Sequence, residues 1–403
     1  MQPALIIIII AAIIAYLIIT YKPKKEDDIR DLYSEGLDLM VDGYKQGAYE
    51  NFKKIISQDT TNVKAYIKLG QVIREGGNPD NALKIHNQLI YRKGLSYYEK
   101  KELYKNLALD YSSLKKNDQA ITYCKKILDI DKKNNWALSK LIYFYQLKKD
   151  WSNAKVFLEL KLKYSGKVDK HSLALYKIQE GRSFLDEEKF DSARECFEEA
   201  IKIYDKIPIA YYFIADSFSQ ESDSAYRYAE SLDMSSSESQ KEYDDCMAKA
   251  KKLLDEAISM WVAYAKSKPE SSWMVIHLLK DALFALNRYN EIETILKEIL
   301  DKDSDNVDVI ASLADYYDHL GDSDSALDII NKGLDKDDSS LLVRLIKLKL
   351  ISSRESANRD SIKKELDLLI KSLSQDSDYQ IYKNTSTDND ALWLYSMSNK
   401  EDS

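Results

Sequence analysis

The residues able to support acid–base, thiolate or metal chemistry are few and scattered. His86, His171, His277 and His319 stand singly, with none of the HExxH pairing that places two imidazoles on one helix face. His86 falls at an inter-helix packing position and reads as a packed side chain. Cys124, Cys196 and Cys246 lie far apart, without the CxxC spacing of a zinc knuckle or the density of a disulfide framework. They read as buried thiols in a reducing compartment. Between Asp301 and Asp338 there are twelve Asp against three Lys. Asp301, Asp303 and Asp305 alternate as in a calcium loop, but the glycine and distal Glu of an EF-hand are missing, so the run reads as a solvated loop. Phosphate-cradling, dinucleotide and nucleophile-elbow motifs do not occur. The expectation is a non-catalytic chain with no cofactor and no metal.

The elements around these residues are dictated by composition. Gly 11 and Pro 5 in 403 residues fall well below the usual roughly 7% and 5%, too few for the tight turns of sandwiches, barrels or phosphate loops. With 44% hydrophobic and 31% charged residues of both signs, the chain has a core and a soluble helical surface. The net charge of −8 argues against nucleic acid, which needs concentrated positive surface.

Ala4 to Ile19 is an uncharged apolar run with nine Ile and two Leu. Extended by Pro3 and Thr20, it would measure roughly 27 Å as a helix, near the thickness of a bilayer core. No Lys or Arg precedes it, whereas Lys22, Lys24, Lys25 and Arg30 follow. A cleaved signal peptide has the opposite polarity. The expectation is a single-pass bacterial inner-membrane protein, held in the membrane through residues 4–19, with the C-terminal region cytoplasmic.

Small residues recur at 34-residue intervals: Gly36 and Gly70, Ala48 and Ala82, Ala120 and Ala154. The period and the two amphipathic helices per unit resemble the tetratricopeptide repeat. Its small positions 8 and 20 lie where the two helices of a hairpin cross, and positions 24 and 27 face the next hairpin. Units at 29–62, 101–134, 135–168, 174–207, 273–306 and 307–340 fit. The fullest match is 174–207, with Gly181, Ala193, Phe197 and Ala200. Between about 219 and 242 a Ser-, Asp- and Glu-rich insertion delays the second helix of one unit, and reads as a solvated loop or helical excursion. The fold expected is all-α: a right-handed tetratricopeptide-repeat solenoid of about eight hairpins behind one N-terminal transmembrane helix. Its domains are an anchor at 1–21, a basic juxtamembrane linker at 22–28, the solenoid at 29–350, a terminal helical cap at 351–376 and a tail at 377–403.

Leu69-Gly70-Gln71-Val72-Ile73-Arg74-Glu75-Gly76-Gly77, followed by Ala82 to Ile90, resembles the second repeat of the bacterial lipopolysaccharide assembly protein B family. The connector Leu95-Ser96-Tyr97 leading into Glu99 is similar to that family's too. The local similarity runs from residue 1 to about 165. The family's C-terminal zinc ribbon has no thiols here: Ile381 and Asn384 would occupy one knuckle and Ser396 to Asn399 the other, a set that cannot hold zinc. The tail is either a degenerate ribbon or a disordered segment.

Positions 2, 5, 9 and 12 of each unit face the concave groove by this resemblance, giving Tyr33, Ile67, Arg74, Lys105, Trp136, Tyr143, Arg182, Tyr212 and Phe284 as candidate protein contacts. Arg74, Lys105 and Arg182 would line it with positive charge suited to an acidic client segment. The resemblance implies a non-catalytic membrane-anchored adaptor that regulates lipopolysaccharide biosynthesis. It would present the committed-step deacetylase to a membrane-bound AAA+ protease. The alternative is a general envelope-assembly scaffold, for secretion or pilus biogenesis, with other clients.

Overall fold

The computed structural model describes residues 28–233, 236–338, 340–352, 359–375 and 389–398. All regular structure among them is helical. The chain divides into two compact units, 1–141 and 142–403.

In the first unit α1 (Ile29–Val41) and α2 (Lys45–Gln58), α3 (Val63–Glu75) and α4 (Pro79–Ile90), and α5 (Tyr97–Ser113) and α6 (Asn117–Ile130) form successive hairpins. The division falls within α7 (Asn135–Leu147), and α8 (Trp151–Ser165) follows. The second unit continues with the hairpins α9 (Lys170–Asp186) and α10 (Phe190–Ile203), α11 (Ile209–Glu230) and α12 (Ser237–Ser267), α13 (Trp273–Ala285) and α14 (Ile292–Leu300), and α15 (Val307–His319) and α16 (Ser323–Lys336). The last pair is α17 (Leu341–Ser352) and α18 (Arg359–Gln375), and a final helix, α19, spans Asn389–Ser398.

Helices cross where the sequence offers little or no side chain. Ala48, Ala82, Ala120, Ala154, Ala193 and Ala326 are all fully buried. A Cβ added at Gly181 would lie 2.5 Å from the Phe197 ring, and one at Gly36 would lie 3.0 Å from Phe52. Each crossing lets bulky second-helix residues such as Phe52 and Phe197 fill the gap, so one hairpin's apolar face completes the next. Helix starts are fixed by side-chain caps: Asn62, Asn134 and Asn306 accept from the amides of Ala65, Ala137 and Val309 at 3.1, 3.0 and 3.1 Å. Ser96 and Glu99 close a reciprocal capping box at the start of α5.

The turns inside the hairpins carry their own periodicity. Positive φ recurs at Gly43 and Gly77, at Lys115 and Lys149, and at Asn287 and Gly321, each pair 34 residues apart, with Glu188 as a further example. A left-handed residue after the first helix reverses the chain, and four of these positions hold a side chain instead of glycine.

The segment 219–242 lengthens its hairpin. Helix α11 continues to Glu230, α12 begins at Ser237 behind its N-cap Ser236, and the two pack along one another. Asp223, Glu230, Glu238 and Glu242 there are exposed, whereas Ser222 is buried and donates to the Ala250 carbonyl at 2.8 Å.

Two expectations change. The single-pass inner-membrane localisation, and with it the transmembrane helix of the expected fold, is corrected: among the described residues no helix is long and apolar enough to cross a membrane. The longest, α12, has 31 residues but carries charges along its length, including Lys249, Lys251, Lys252, Asp255 and Glu256. The run 4–19 that suggested the span lies outside the described residues, as do Lys22, Lys24 and Lys25. In the tail, Asn389–Ser398 is a helix, which replaces a ribbon or disorder for those residues. Ser396 therefore sits on a helical turn, its hydroxyl donating to the Trp393 carbonyl at 2.8 Å. Ile381, Asn384 and Asn399 lie outside the described residues.

Candidate functional site

In each unit the first helices of successive hairpins are neighbours, α3 against α5 in one and α9 against α11 in the other, so residues one repeat apart share a face.

On the first unit's face, Tyr33 is half-buried, edge-on to Phe52 with ring centroids 5.6 Å apart. Burial, with smaller contributions from Tyr98 and Glu102, pushes its phenol pKa up. Ile67 is buried, packed with Leu89, Leu103 and Leu107. Lys105 holds its ammonium 5.6 Å from the centre of the Trp136 ring, both side chains partly exposed.

Arg74 points inward. Its Nη1 donates to Asp110 Oδ1 at 2.8 Å and to Asn106 Oδ1 at 3.1 Å. The other Asp110 oxygen lies 2.5 Å from His86 Nδ1, and His86 Nε2 lies 3.1 Å from the Ile67 carbonyl. Asp110 and His86 are fully buried. The network ties α3, α4 and α5 together through their polar groups, as low-dielectric interiors require. The partnership of His86 with Asp110 was hidden in the sequence because 24 residues separate them; its trace is a buried Asp two residues after the buried pair Leu107 and Ala108.

On the second unit's face, Tyr143 packs edge-on to Phe144, with centroids 5.5 Å apart. Arg182 lies between two rings, its guanidinium 5.1 Å from the centre of Phe213 and 4.7 Å from that of Tyr395, and donates to Gln179 Oε1 at 2.9 Å. Burial lowers its pKa, opposed by Tyr395, Asp186, Asp216 and Tyr212. Tyr212 stands 5.9 Å from Tyr264, and its phenol pKa is raised by burial first and then by Tyr395. Burial likewise raises Asp216, although it accepts from Gln220 Nε2 at 3.1 Å. Phe284 is 63% exposed, 6.4 Å from His319.

A cavity of about 350 Å³ opens further along the second unit, lined by residues that include Trp273, His277, Lys280, Asp308, Asp315 and Ile346. Asp315 bridges Lys280 and Lys349, the latter at 2.8 Å. Each of its oxygens accepts from one ammonium, and Asp318 supplies the second negative charge, 3.1 Å from Lys349. Among the described residues, no three His, Cys, Asp or Glu side chains converge to hold a metal. Asp303 and Asp305 serve as turn and ion-pair partners: Asp303 accepts from Asn306 at 3.2 Å and Asp305 pairs with Lys336.

These stacked hairpins with small crossing residues coincide with matches to two models described as tetratricopeptide repeat, one over residues 283–349 and the other over 102–134 and 176–206. The chain carries tetratricopeptide repeats. It also resembles lipopolysaccharide assembly protein B of Escherichia coli strain K12, at 26% identity over 133 residues, 32% of this chain and 34% of that protein. The same values hold for the proteins of strains CFT073 and O157:H7. The alignment thus spans about a third of the curated relatives' length. Among solved structures, a tetratricopeptide-repeat protein from Parabacteroides merdae covers 68% of this chain and 98% of its own, at 16% identity and a TM-score of 0.33. The C-terminal part of a repeat-containing protein from Cytophaga hutchinsonii covers 70% and 99%, at 14% identity and a TM-score of 0.35. Its tetratricopeptide repeats mark the chain as a protein–protein interaction scaffold.

Proposed function

We propose that this repeat protein is an adaptor of lipopolysaccharide biosynthesis whose first-helix faces hold client proteins. Its clients, by the resemblance to lipopolysaccharide assembly protein B, are the committed-step deacetylase and the AAA+ protease to which that deacetylase is presented. The observation that carries the docking face is Lys105 over Trp136. A cation held above a partly exposed indole is pre-organised for an incoming acidic or aromatic side chain, and such aromatic and cationic groups dominate binding energy at protein interfaces.

The test is capture of the deacetylase from cell extracts by the intact chain and by a Lys105→Glu, Trp136→Ala chain, together with the deacetylase level after depletion of the repeat protein. Loss of capture by the variant and a raised deacetylase level are expected. An unchanged level on depletion overturns the pathway assignment, and secretion or pilus-assembly proteins recovered in its place would make the chain a general envelope scaffold.

A further inference from the structure

Helix α19 lies far from its docking site in sequence and touches the face expected to bind clients. Asp390, in its first turn, meets His171 Nε2 at 3.0 Å, 219 residues away. Trp393 stands 5.4 Å from Tyr176 and Tyr395 6.5 Å from Phe213, while the Tyr395 ring stacks on Arg182 at 4.7 Å. Ala391 and Leu394 are fully buried within the second unit's core. His171, Tyr176 and Arg182 belong to α9, and Phe213 to α11. One ten-residue helix thus packs an acid, two apolar residues and two rings against two neighbouring first helices, α9 and α11.

We propose that α19 is an intramolecular occupant of this face, and that the face takes partner segments of the same chemistry: a short helix with an acidic first turn and aromatic residues three and five positions after the acid, entering by displacing α19. The proposal rests on reading first-helix faces as docking faces, and adds to it the partner's chemistry and a means of regulation.

Three physical arguments support it. The face residues also have partners outside α19: Arg182 holds Phe213 and Gln179, Tyr212 packs on Tyr264, and Tyr176 accepts a hydrogen bond from Gln146 and makes an edge contact with Trp151. Pre-organisation of this kind lowers the ordering cost for any ligand. A helix of ten residues has marginal stability alone, so α19 owes its helicity to docking and gives it up on release. Finally, a segment tethered to its own site competes at an effective concentration on the order of millimolar. A free segment of equal intrinsic affinity is therefore held off until its concentration rises or it adds contacts elsewhere.

Fluorescence anisotropy with the full chain and a labelled peptide reproducing residues 388–400 tests this. The unaltered chain should bind the peptide weakly. Asp390→Lys with Tyr395→Ala in the chain should release α19 and tighten peptide binding about tenfold or more, the loss of a half-buried ion pair and a cation–ring contact. Adding Arg182→Glu should then abolish it. If circular dichroism shows that the double substitution unfolds the chain, Tyr395→Ala alone is measured against the same criterion. A folded released chain that binds no better than its parent overturns the proposal, as does a scrambled peptide that binds equally well. So does a dimer in sedimentation that the substitutions dissociate, which would make α19 a helix exchanged between copies. Peptide binding without any captured cellular client would count against the adaptor function alone.

Discussion

Arg74 and Asp110, 36 residues apart, form an ion pair at 2.8 Å in which Asp110 is fully buried and the Arg74 side chain only 8% exposed. The same carboxylate holds His86. Position 12 of its repeat would place Arg74 on the groove, where reversing its charge would cost little. In this setting Arg74→Glu sets two carboxylates together in the interior. Removing one member of a buried pair typically costs about 3–5 kcal/mol, so Arg74→Glu and Asp110→Ala are both expected to destabilise the first unit by at least that order. Urea unfolding checks this, and midpoints equal to that of the unaltered chain would mean the pair is dispensable.

The glycine crossings give an ordered series. A methyl at Gly181 would press on the Phe197 ring at 2.5 Å and on Cys196 Cβ at 3.0 Å, whereas one at Gly36 meets only the Phe52 ring, at 3.0 Å. Gly181→Ala should therefore cost about 1–3 kcal/mol, and Gly36→Ala less. Phe197→Leu added to Gly181→Ala should recover part of the loss by vacating the space the methyl needs. Equal thermal midpoints for Gly181→Ala and the unaltered chain would refute the crossing geometry.

The repeat was legible in the sequence because its determinants are local: Ala82, Ala120 and Ala193 at crossings and Asn62, Asn134 and Asn306 at helix starts act within one hairpin. What stayed hidden depends on distant partners. Arg74 is a groove residue by position and an interior residue by virtue of Asp110. Similarly, Asp390 meets His171 across 219 residues, which no periodicity encodes. At 219–242 composition could not separate loop from helix, because Ser, Asp and Glu suit a solvated helix face as well as a loop. The apolar run 4–19 lies outside the described residues, among which no helix is long and apolar enough to cross a membrane.

The hairpin turns offer a gain in stability. Lys115, Lys149, Glu188 and Asn287 adopt φ between 55° and 59°, a conformation that costs an ordinary L-residue roughly 1–2 kcal/mol. Gly43, Gly77 and Gly321 fill equivalent turns without that strain. Glu188→Gly and Lys115→Gly should each stabilise the chain by about 0.5–1 kcal/mol after the extra chain entropy of glycine is subtracted. Calorimetry should show a higher midpoint for each, and a fall would mean the side chains contribute contacts that outweigh the strain.

Acid sensitivity should concentrate at Asp315. Burial alone would raise its carboxyl pKa, but hydrogen bonds from Lys280 and Lys349 outweigh that and hold it below the usual 3.8; the same pairing raises Lys349. A carboxylate whose pKa is depressed in the folded state binds its proton more weakly there than in the unfolded chain. Its contribution to stability is therefore fully present above about pH 3.8 and is lost as pH falls through the lower folded-state value. Asp315→Asn should destabilise the chain at neutral pH and approach the unaltered chain in strong acid. The comparison is made by denaturant unfolding at pH 7, 4 and 3 in low salt, where screening is weakest. A stability difference that stays constant across that range would show that Asp315 acts through packing and not through its charge.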